Sequence, residues 1–283
     1  MPSNNTMDHS SLAPFNKVHS RASLFVPKFF SYEPGVQYNW IWPDTREQFL
    51  EKNKNGFING YSDKDISYIH NAEGFRSDKF SNSKSLVSLG CSITKGIGIP
   101  VGDTFTSIIG KEYPHLGLAN LGLGASNNEY IFMQACAAFE KFHVSLMTVT
   151  WTFIERSFYV DDKNINFFSR NFVVADTGVP SSKDKIDKKN KYYETVYTDN
   201  TQLLRLTFFV NQLDYLARLN GAKIVHSFVI QDVDDINNII PYFSTDKNKV
   251  FDSLPLDRLA RDNIHPGKTW NKLHADAILR ELS

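Results

Sequence analysis

The sequence predicts a three-layer α/β/α domain that follows a less regular N-terminal extension. Two observations favour this fold. From Lys84 onward, short apolar segments alternate with segments whose apolar residues recur at helical spacing, a pattern typical of a sheet covered by helices on both faces. The chain also has 283 residues, 41% of them hydrophobic and 22% charged, which is enough to bury a sizeable core.

The N-terminal part divides into two pieces. Residues 1–22 are rich in Ser and Asn, which predicts a flexible or extended arm that can dock on a partner or on a second copy of the chain. Residues 23–83 carry many aromatic side chains between Gly, Pro, Asn and Asp. This mixture predicts an extension of short strands and loops packed on the main domain.

The main domain, residues 84–283, is predicted to alternate strands with helices. Strands are predicted at 85–89, 116–124, 144–151 and 222–230, and helices at 104–113, 127–142, 200–221 and 267–282. Helices that separate consecutive strands imply parallel pairing. The expected architecture is therefore a flavodoxin-like parallel sheet between two helical layers.

Residues 153–199 interrupt this alternation. The segment is polar, rich in Lys at its centre and poorly periodic, and it follows a predicted strand at the carboxyl edge of the sheet. Ligands bind at that edge in open α/β folds. The segment is therefore either a lid or specificity loop, or a solvated surface excursion, and the sequence leaves both readings open.

Composition narrows the range of partners and compartments. Acidic and basic residues balance at 31 each, which argues against nucleic acid as the main partner. The N-terminal stretch lacks the apolar core of a secretory signal, and no apolar run is long enough for a membrane helix. The presence of only two cysteines argues against a disulfide framework. We expect a cytoplasmic protein without membrane contact, or a component of a particle assembled inside the cell.

The ends of the predicted strands carry a set of residues suited to acyl transfer. Ser92 follows the first strand, Gly124 ends the second, and Asp262-x-x-His265 precedes the last helix. A serine hydroxyl needs a nearby base, and that base needs an orienting carboxylate. The developing oxyanion needs preorganised N–H donors, which a helix start at Ser92 and a glycine at 124 can offer.

These segments resemble a known family. "LGCSITKGIG", "NLGLGASNN" and "DNIHPG" are similar to blocks I, II and V of the SGNH, or GDSL-like, serine hydrolases, over residues 84–283. "HNAEGFRSDKF" also resembles the segment that precedes the domain in some members. The resemblance implies Ser92 as nucleophile, His265 as base, Asp262 as its orienter, and Ser92 with Gly124 in the oxyanion hole.

Two positions depart from the family pattern. Cys91 stands where the family's block I has Asp, and "VTWTFIER" lacks the asparagine of block III. Thr152, Asn127 or Asn128 are the candidates for the missing third oxyanion donor. Loss of one such donor costs on the order of a hundredfold or more in rate.

Several residues keep a second interpretation. Cys91 is a rival nucleophile, because a thiol at a helix start has a lowered pKa, and Ser92 by itself also suits a helix cap. Two further residues are candidates for substrate contact, each with an alternative: Trp151 lines the pocket or packs under the insertion, and Arg156 binds an anionic group of the substrate or forms a surface ion pair. The histidines, carboxylates and cysteines do not cluster in sequence, and no complete phosphate or dinucleotide loop is present, so no metal and no cofactor are expected.

The expected activity is hydrolysis of an acyl ester, for example an O-acetyl group on a carbohydrate, through a Ser-His-Asp triad and an acyl-enzyme. The alternative is a weak or inactive member of the fold that binds glycans or serves as a structural subunit. A homo-oligomer or an assembly contact through the N-terminal arm is a further expectation.

Overall fold

Five strands form a parallel sheet at the centre of this computed structural model. The structure describes residues 34–41, 43–54, 61–62, 64–80, 84–160, 165–169, 173–174, 183–228, 243, 249–251, 259–262 and 264–283. The sheet contains β3 (Lys84–Leu89), β4 (Gly117–Asn120), β5 (His143–Trp151), β9 (Lys223–Phe228) and β10 (Lys249–Phe251). Their spatial order is β10-β9-β5-β3-β4, and every pair is parallel.

This order is that of a flavodoxin-like sheet. The second strand is added on one side of the first, and all later strands are added on its other side. The change of side falls between β3 and β5, which are neighbours in the sheet. Both strands are buried along most of their length, because helices cover both faces. The predicted fold class is confirmed, and the site where such folds bind ligands falls after Leu89 and after Trp151.

Two helical layers cover the sheet. One face carries α4 (Asn128–Lys141) and α6 (Asp199–Leu219), and the other carries α3 (Phe105–Glu112) and α7 (Lys268–Leu282). The short helix α2 (Ser92–Lys95) and a 3-10 turn at Val101–Asp103 connect β3 to α3. Side-chain caps begin three of the four helices in these two layers: Thr104 for α3, Asn127 for α4 and Thr198 for α6.

The N-terminal extension packs on the loops of the main domain. It contains β1 (Gln37–Tyr38), α1 (Arg46–Lys52) and β2 (Tyr68–Ile69), and the two strands pair in antiparallel fashion. A separate apolar cluster joins Ile66 and Tyr68 of the extension to Ile97, Ile99 and Ala260 of the main domain. The predicted arm at 1–22 lies outside the described residues.

The segment at 153–199 has more regular structure than its sequence pattern indicated. It contains a three-stranded antiparallel sheet of β6 (Ser157–Val160), β7 (Ile165–Phe168) and β8 (Val173–Val174), followed by α5 (Lys183–Thr195). Aromatic contacts hold the parts together: Phe168 packs edge-on against Tyr192 and Tyr193. Tyr193 also donates a hydrogen bond to the carbonyl oxygen of Glu155, at the start of the segment.

Helix and strand bounds otherwise follow the sequence prediction closely, with three differences. The second strand, predicted to reach 124, ends at Asn120. The strand β10 was not predicted, and neither was the helix α1 in the extension. In the part of the chain that the structure describes, no helix has the length and apolar character needed to cross a membrane.

Candidate active site

Ser92 stands on a tight turn at the carboxyl end of β3. Gly90 makes the turn possible, because a Cβ at this position would lie 2.0 Å from the hydroxyl oxygen of Thr94. The chain enters α2 at Ser92 and leaves it at Gly96, whose φ of 75° is left-handed. The turn therefore projects Ser92 at the edge of the sheet.

Ser92, His265 and Asp262 form a hydrogen-bonded chain. The Ser92 hydroxyl oxygen lies 2.8 Å from Nε2 of His265, and Nδ1 of His265 contacts Oδ2 of Asp262. Oδ1 of Asp262 accepts the backbone N–H groups of Ile264 at 3.1 Å and His265 at 3.0 Å. All three residues are almost wholly buried, with Asp262 exposed by 1% and His265 by 9%.

The environment of Asp262 keeps its carboxylate ionised. Burial raises the pKa of this carboxyl group, but the hydrogen bonds and the charge of His265, with the N–H of Ile264, outweigh it. The net pKa lies below its ordinary value. A charged Asp262 favours the His265 tautomer with a proton on Nδ1, which leaves Nε2 free to accept the proton of Ser92.

Backbone contacts hold the Asp262 loop against the nucleophile turn. The N–H of Arg261 donates to the carbonyl of Gly98 at 2.9 Å, and the N–H of Ala260 donates to the carbonyl of His265 at 2.8 Å. A Cβ on Gly98 would lie 2.7 Å from that of Ala260, so the close approach requires glycine. The ammonium group of Lys52, from α1, donates to the carbonyl of Asp262 at 2.8 Å.

A buried ion pair joins the N-terminal extension to the same loop. Arg261 donates from Nη2 to Oδ2 of Asp44 at 2.7 Å and from Nε to both carboxylate oxygens at 3.1 and 3.2 Å, and both side chains are fully buried. The Arg261 guanidinium also lies 3.8 Å from the ring centre of Trp40. Tyr68 donates to Asp44 at 2.5 Å and accepts the N–H of Gly98 at 2.8 Å. Sequence reasoning missed this network, because nothing in the local pattern at Asp44 points to a partner so distant in the chain.

The turn after β4 lies beside the nucleophile helix. Asn120 accepts the N–H of Gly122 at 2.9 Å and donates to the carbonyl of Thr94 at 2.9 Å. A Cβ on Gly122 would lie 2.3 Å from the backbone nitrogen of Lys95.

The predicted oxyanion residue, Gly124, lies two residues beyond Gly122. The next residue, Ala125, has a φ of 63°, a left-handed conformation that favours glycine and often occurs at functional sites.

Two of the three candidates for the third oxyanion donor are bound elsewhere, whereas the hydroxyl of Thr152 has no hydrogen-bond partner among the described residues. Asn128 accepts the N–H of Thr152 at 2.8 Å and donates to the Thr152 carbonyl at 3.0 Å, so its carboxamide fastens the end of β5 to the start of α4. Asn127 caps α4 by accepting the N–H of Tyr130 at 3.1 Å. Thr152 is fully buried, and its side chain lies against the thiol of Cys91.

Cys91 is buried completely and belongs to the apolar cluster under α3 and α7. Burial raises the pKa of its thiol. The charge of Arg156 and the polar contacts of neighbouring groups, Thr152 first among them, lower the pKa by more than burial raises it, so the net pKa is below the ordinary value. The group in hydrogen-bond contact with His265 is nevertheless the Ser92 hydroxyl. The geometry therefore favours Ser92 over Cys91 as the nucleophile.

The two predicted substrate-contact residues have different positions. Trp151 is fully buried, and its indole N–H donates to Nδ1 of His226 at 3.1 Å. It belongs to the core, which corrects its assignment as a pocket residue. Arg156 lies at the carboxyl edge of the sheet, with its guanidinium 4.8 Å from the ring centre of Phe153 and Nη1 3.5 Å from the carbonyl oxygen of Ser126.

Metal ligands do not gather at this site or elsewhere in the described ranges. No three histidine, cysteine, aspartate or glutamate side chains there lie close enough together to hold a metal ion. The groups in place are instead a hydroxyl, an imidazole and a carboxylate.

Comparison with known proteins yields matches among solved structures. No protein-family model matches the sequence, and no curated protein matches it. A psychrotrophic esterase from Pseudoalteromonas sp. shares 10% identity at a TM-score of 0.42, covering 71% of this chain and 97% of that one. An acetylxylan esterase from Geobacillus stearothermophilus, solved as a catalytic mutant, shares 15% identity at a TM-score of 0.40, covering 72% and 96%.

A third similar structure is a GDSL-like lipase from Bacteroides thetaiotaomicron. It shares 10% identity at a TM-score of 0.40, and the match covers 71% of this chain and 90% of that one. Likenesses at this level do not bear on the activity of this chain. Its activity has to be inferred from the geometry of its own site.

Proposed function

We propose that this protein is a serine ester hydrolase that works through an acyl-enzyme. The observation that carries the proposal is the hydrogen-bonded chain from the Ser92 hydroxyl through His265 to Asp262. Nucleophile, base and orienting carboxylate are in contact in the order that acyl transfer requires.

In the proposed reaction, Nε2 of His265 takes the proton of Ser92 while the hydroxyl oxygen attacks the carbonyl carbon of the ester. Asp262 stabilises the imidazolium that results. The imidazolium then gives its proton to the departing alcohol, and the acyl group stays on Ser92. Water, deprotonated by the same imidazole, attacks the acyl-enzyme and releases the acid, which restores the free serine.

The oxyanion is assigned to the backbone N–H groups of Ser92 and Gly124, supported by the turns that hold both residues at the edge of the sheet. For the third donor we favour Arg156 over Thr152 or Asn127. Its guanidinium lies beside the carbonyl of Ser126, in the turn that includes Gly124, and its charge reaches Cys91, the neighbour of Ser92. A cation there would stabilise the negative charge that develops in the transition state.

The substrate class is proposed from the resemblance to SGNH hydrolases. A small acyl group on a carbohydrate, such as an O-acetyl ester, is the first class to examine.

The alternative function, a weak or inactive member of the fold that binds glycans or builds an assembly, is favoured by one observation. Neither Asn127 nor Asn128 has a carboxamide directed to the oxyanion position, since both are bound elsewhere.

One experiment decides between these functions. The full chain is treated with a fluorophosphonate probe and assayed with p-nitrophenyl acetate, together with Ser92→Ala and the neighbouring variant Cys91→Ala. We expect labelling and turnover in the parent protein and in Cys91→Ala, and neither in Ser92→Ala. A parent protein without labelling or turnover refutes the hydrolase, and loss of activity in Cys91→Ala alone makes the thiol the nucleophile.

A further inference from the structure

The outer face of α6 carries an apolar stripe, defined as Leu204, Phe208, Tyr215 and Leu219. Their exposed fractions are 64%, 55%, 50% and 64%. At 3.6 residues per turn, the four side chains fall within a sector of about 60° around the helix axis. A surface helix normally buries its apolar side and turns polar residues to water. Since α6 already buries its opposite side against α4 and the sheet, the stripe is a second apolar face.

Aromatic packing fixes the centre of the stripe in place. Phe132 of α4 stacks on Phe209 with ring centres 4.7 Å apart, and it lies 6.4 Å from the ring centre of Phe208. Phe208 is therefore held by neighbours while its outer side stays exposed. Side chains that are ordered before binding lose less entropy on association, and aromatic residues are enriched at the centres of interfaces.

The stripe is self-complementary under two-fold symmetry. Its midpoint lies between Asn211 and Gln212, on a helix that runs from Asp199 to Leu219. Leu204 and Leu219 are equally distant from this midpoint, and so are Phe208 and Tyr215. If two α6 helices pack in antiparallel fashion, leucine therefore meets leucine, phenylalanine meets tyrosine, and the two amides meet at the axis. A two-fold interface requires this reciprocity of contacts.

We propose that the chain forms a two-fold dimer in which α6 packs against α6 of a second copy in antiparallel orientation. Each stripe residue exposes about half of a large side chain, or about 100 Å². The four residues would bury about 400 Å² on each copy. Flanking residues would bring the total toward the roughly 1,200 Å² at which specific interfaces begin.

The charges beside the stripe are compatible with this packing. Arg205 and Arg218 are equally distant from the midpoint, so each lies about 20 Å along the helix from its own symmetry mate. Arg205 is level with Arg218 of the second copy, but the two lie on opposite flanks of the stripe. Arg205 is also paired with Glu129 at 3.1 Å. The apolar stripe thus has a polar rim, as specific interfaces do.

The dimer leaves both candidate active sites open. Because α6 leads into β9 of a parallel sheet, its N-terminal end lies toward the carboxyl edge that carries Ser92. Antiparallel packing of two such helices points the two carboxyl edges in opposite directions. The proposed dimer is therefore independent of the proposed esterase activity, and either can fail without the other.

The test is a charge exchange across the two-fold axis, followed by sedimentation equilibrium of the full chain. We expect the parent protein to be dimeric and both Leu204→Lys and Leu219→Glu to be monomeric. The double variant Leu204→Lys/Leu219→Glu should regain the dimer, because each introduced lysine faces an introduced glutamate of the other copy. Within one copy the two positions are about 22 Å apart, so no intramolecular pair can produce this rescue.

The control is Leu273→Lys, which places the same charge at a 40%-exposed leucine of α7 and should remain dimeric. Circular dichroism checks that each variant is folded, and Tyr215→Lys provides a second single variant at the stripe. A monomeric parent protein overturns the proposal. A dimer that survives the single variants also overturns the proposal. The same holds for a dimer that is lost only when residues 1–33 are removed. Single variants that dissociate without rescue in the double variant overturn the antiparallel geometry.

Discussion

Replacement of Asp44 by Asn tests whether the N-terminal extension holds the Asp262 loop in place. The carboxylate of Asp44 is fully buried and accepts three contacts from Arg261 at 2.7 to 3.2 Å. An asparagine of the same size keeps one acceptor oxygen but removes the negative charge that lies against the buried Arg261 guanidinium. Loss of one partner of a buried pair costs about 3–5 kcal/mol.

That cost is a large part of the total stability of a protein, which is commonly about 5–15 kcal/mol. We therefore expect Asp44→Asn to fold but to unfold at a clearly lower urea concentration than the parent protein. Because Arg261 directly precedes Asp262, and its N–H is bound to Gly98, the turnover of p-nitrophenyl acetate should fall as well. Urea unfolding followed by circular dichroism gives the free energy, and initial rates give kcat.

The matched control is Asp103→Asn, which breaks an ion pair at the surface. Asp103 binds Lys268 at 2.9 Å, but their side chains are exposed by 32% and 59%. A pair of this kind contributes about 1 kcal/mol or less. If Asp44→Asn destabilises the protein no more than Asp103→Asn does, the buried pair does not anchor the loop and the reasoning fails.

Three further predictions concern single side chains. Arg156→Gln should lower kcat for p-nitrophenyl acetate on the order of a hundredfold with little change in KM, because it removes charge stabilisation of the transition state; a change in KM alone would instead indicate substrate binding. Burial, with the charges of Lys95 and Arg76, lowers the pKa of His70 to about 3. The unfolded chain therefore binds a proton that the folded chain does not between about pH 6.5 and pH 3, and the free energy of unfolding should fall on the order of 4 kcal/mol as the pH drops through that window. His70→Gln should lose this part of the pH dependence in urea titrations, and an unchanged profile would contradict the assignment. Ala125→Gly should raise the thermal midpoint, with a gain of about 1 kcal/mol, because glycine adopts a φ of 63° without strain; a lower midpoint would show that the turn is not strained.

Much of the fold, and part of the candidate site, could be predicted from local sequence patterns. The apolar runs at 85–89 and 144–151 correspond to central strands because a strand buried on both faces needs apolar residues at nearly every position. The helices at 127–142 and 200–221 follow from the helical spacing of their apolar residues. Ser92 and the Asp262-x-x-His265 loop stood out for a similar reason, since a strand end and a short loop are local features.

The sequence by itself determined the alternation of strands and helices, and with it the edge of the sheet on which the candidate site lies. Only the tertiary structure decided which groups meet there. Asp44 and Arg261 lie far apart in the chain and have no shared periodicity, and Trp151 looks the same in sequence whether it faces a pocket or the core. The helix α6 is apolar on two faces, and its sequence does not tell which face is buried. Hydrogen bonds, ion pairs and burial at such positions depend on distances between elements, and a local pattern carries no information about those distances until the chain is folded.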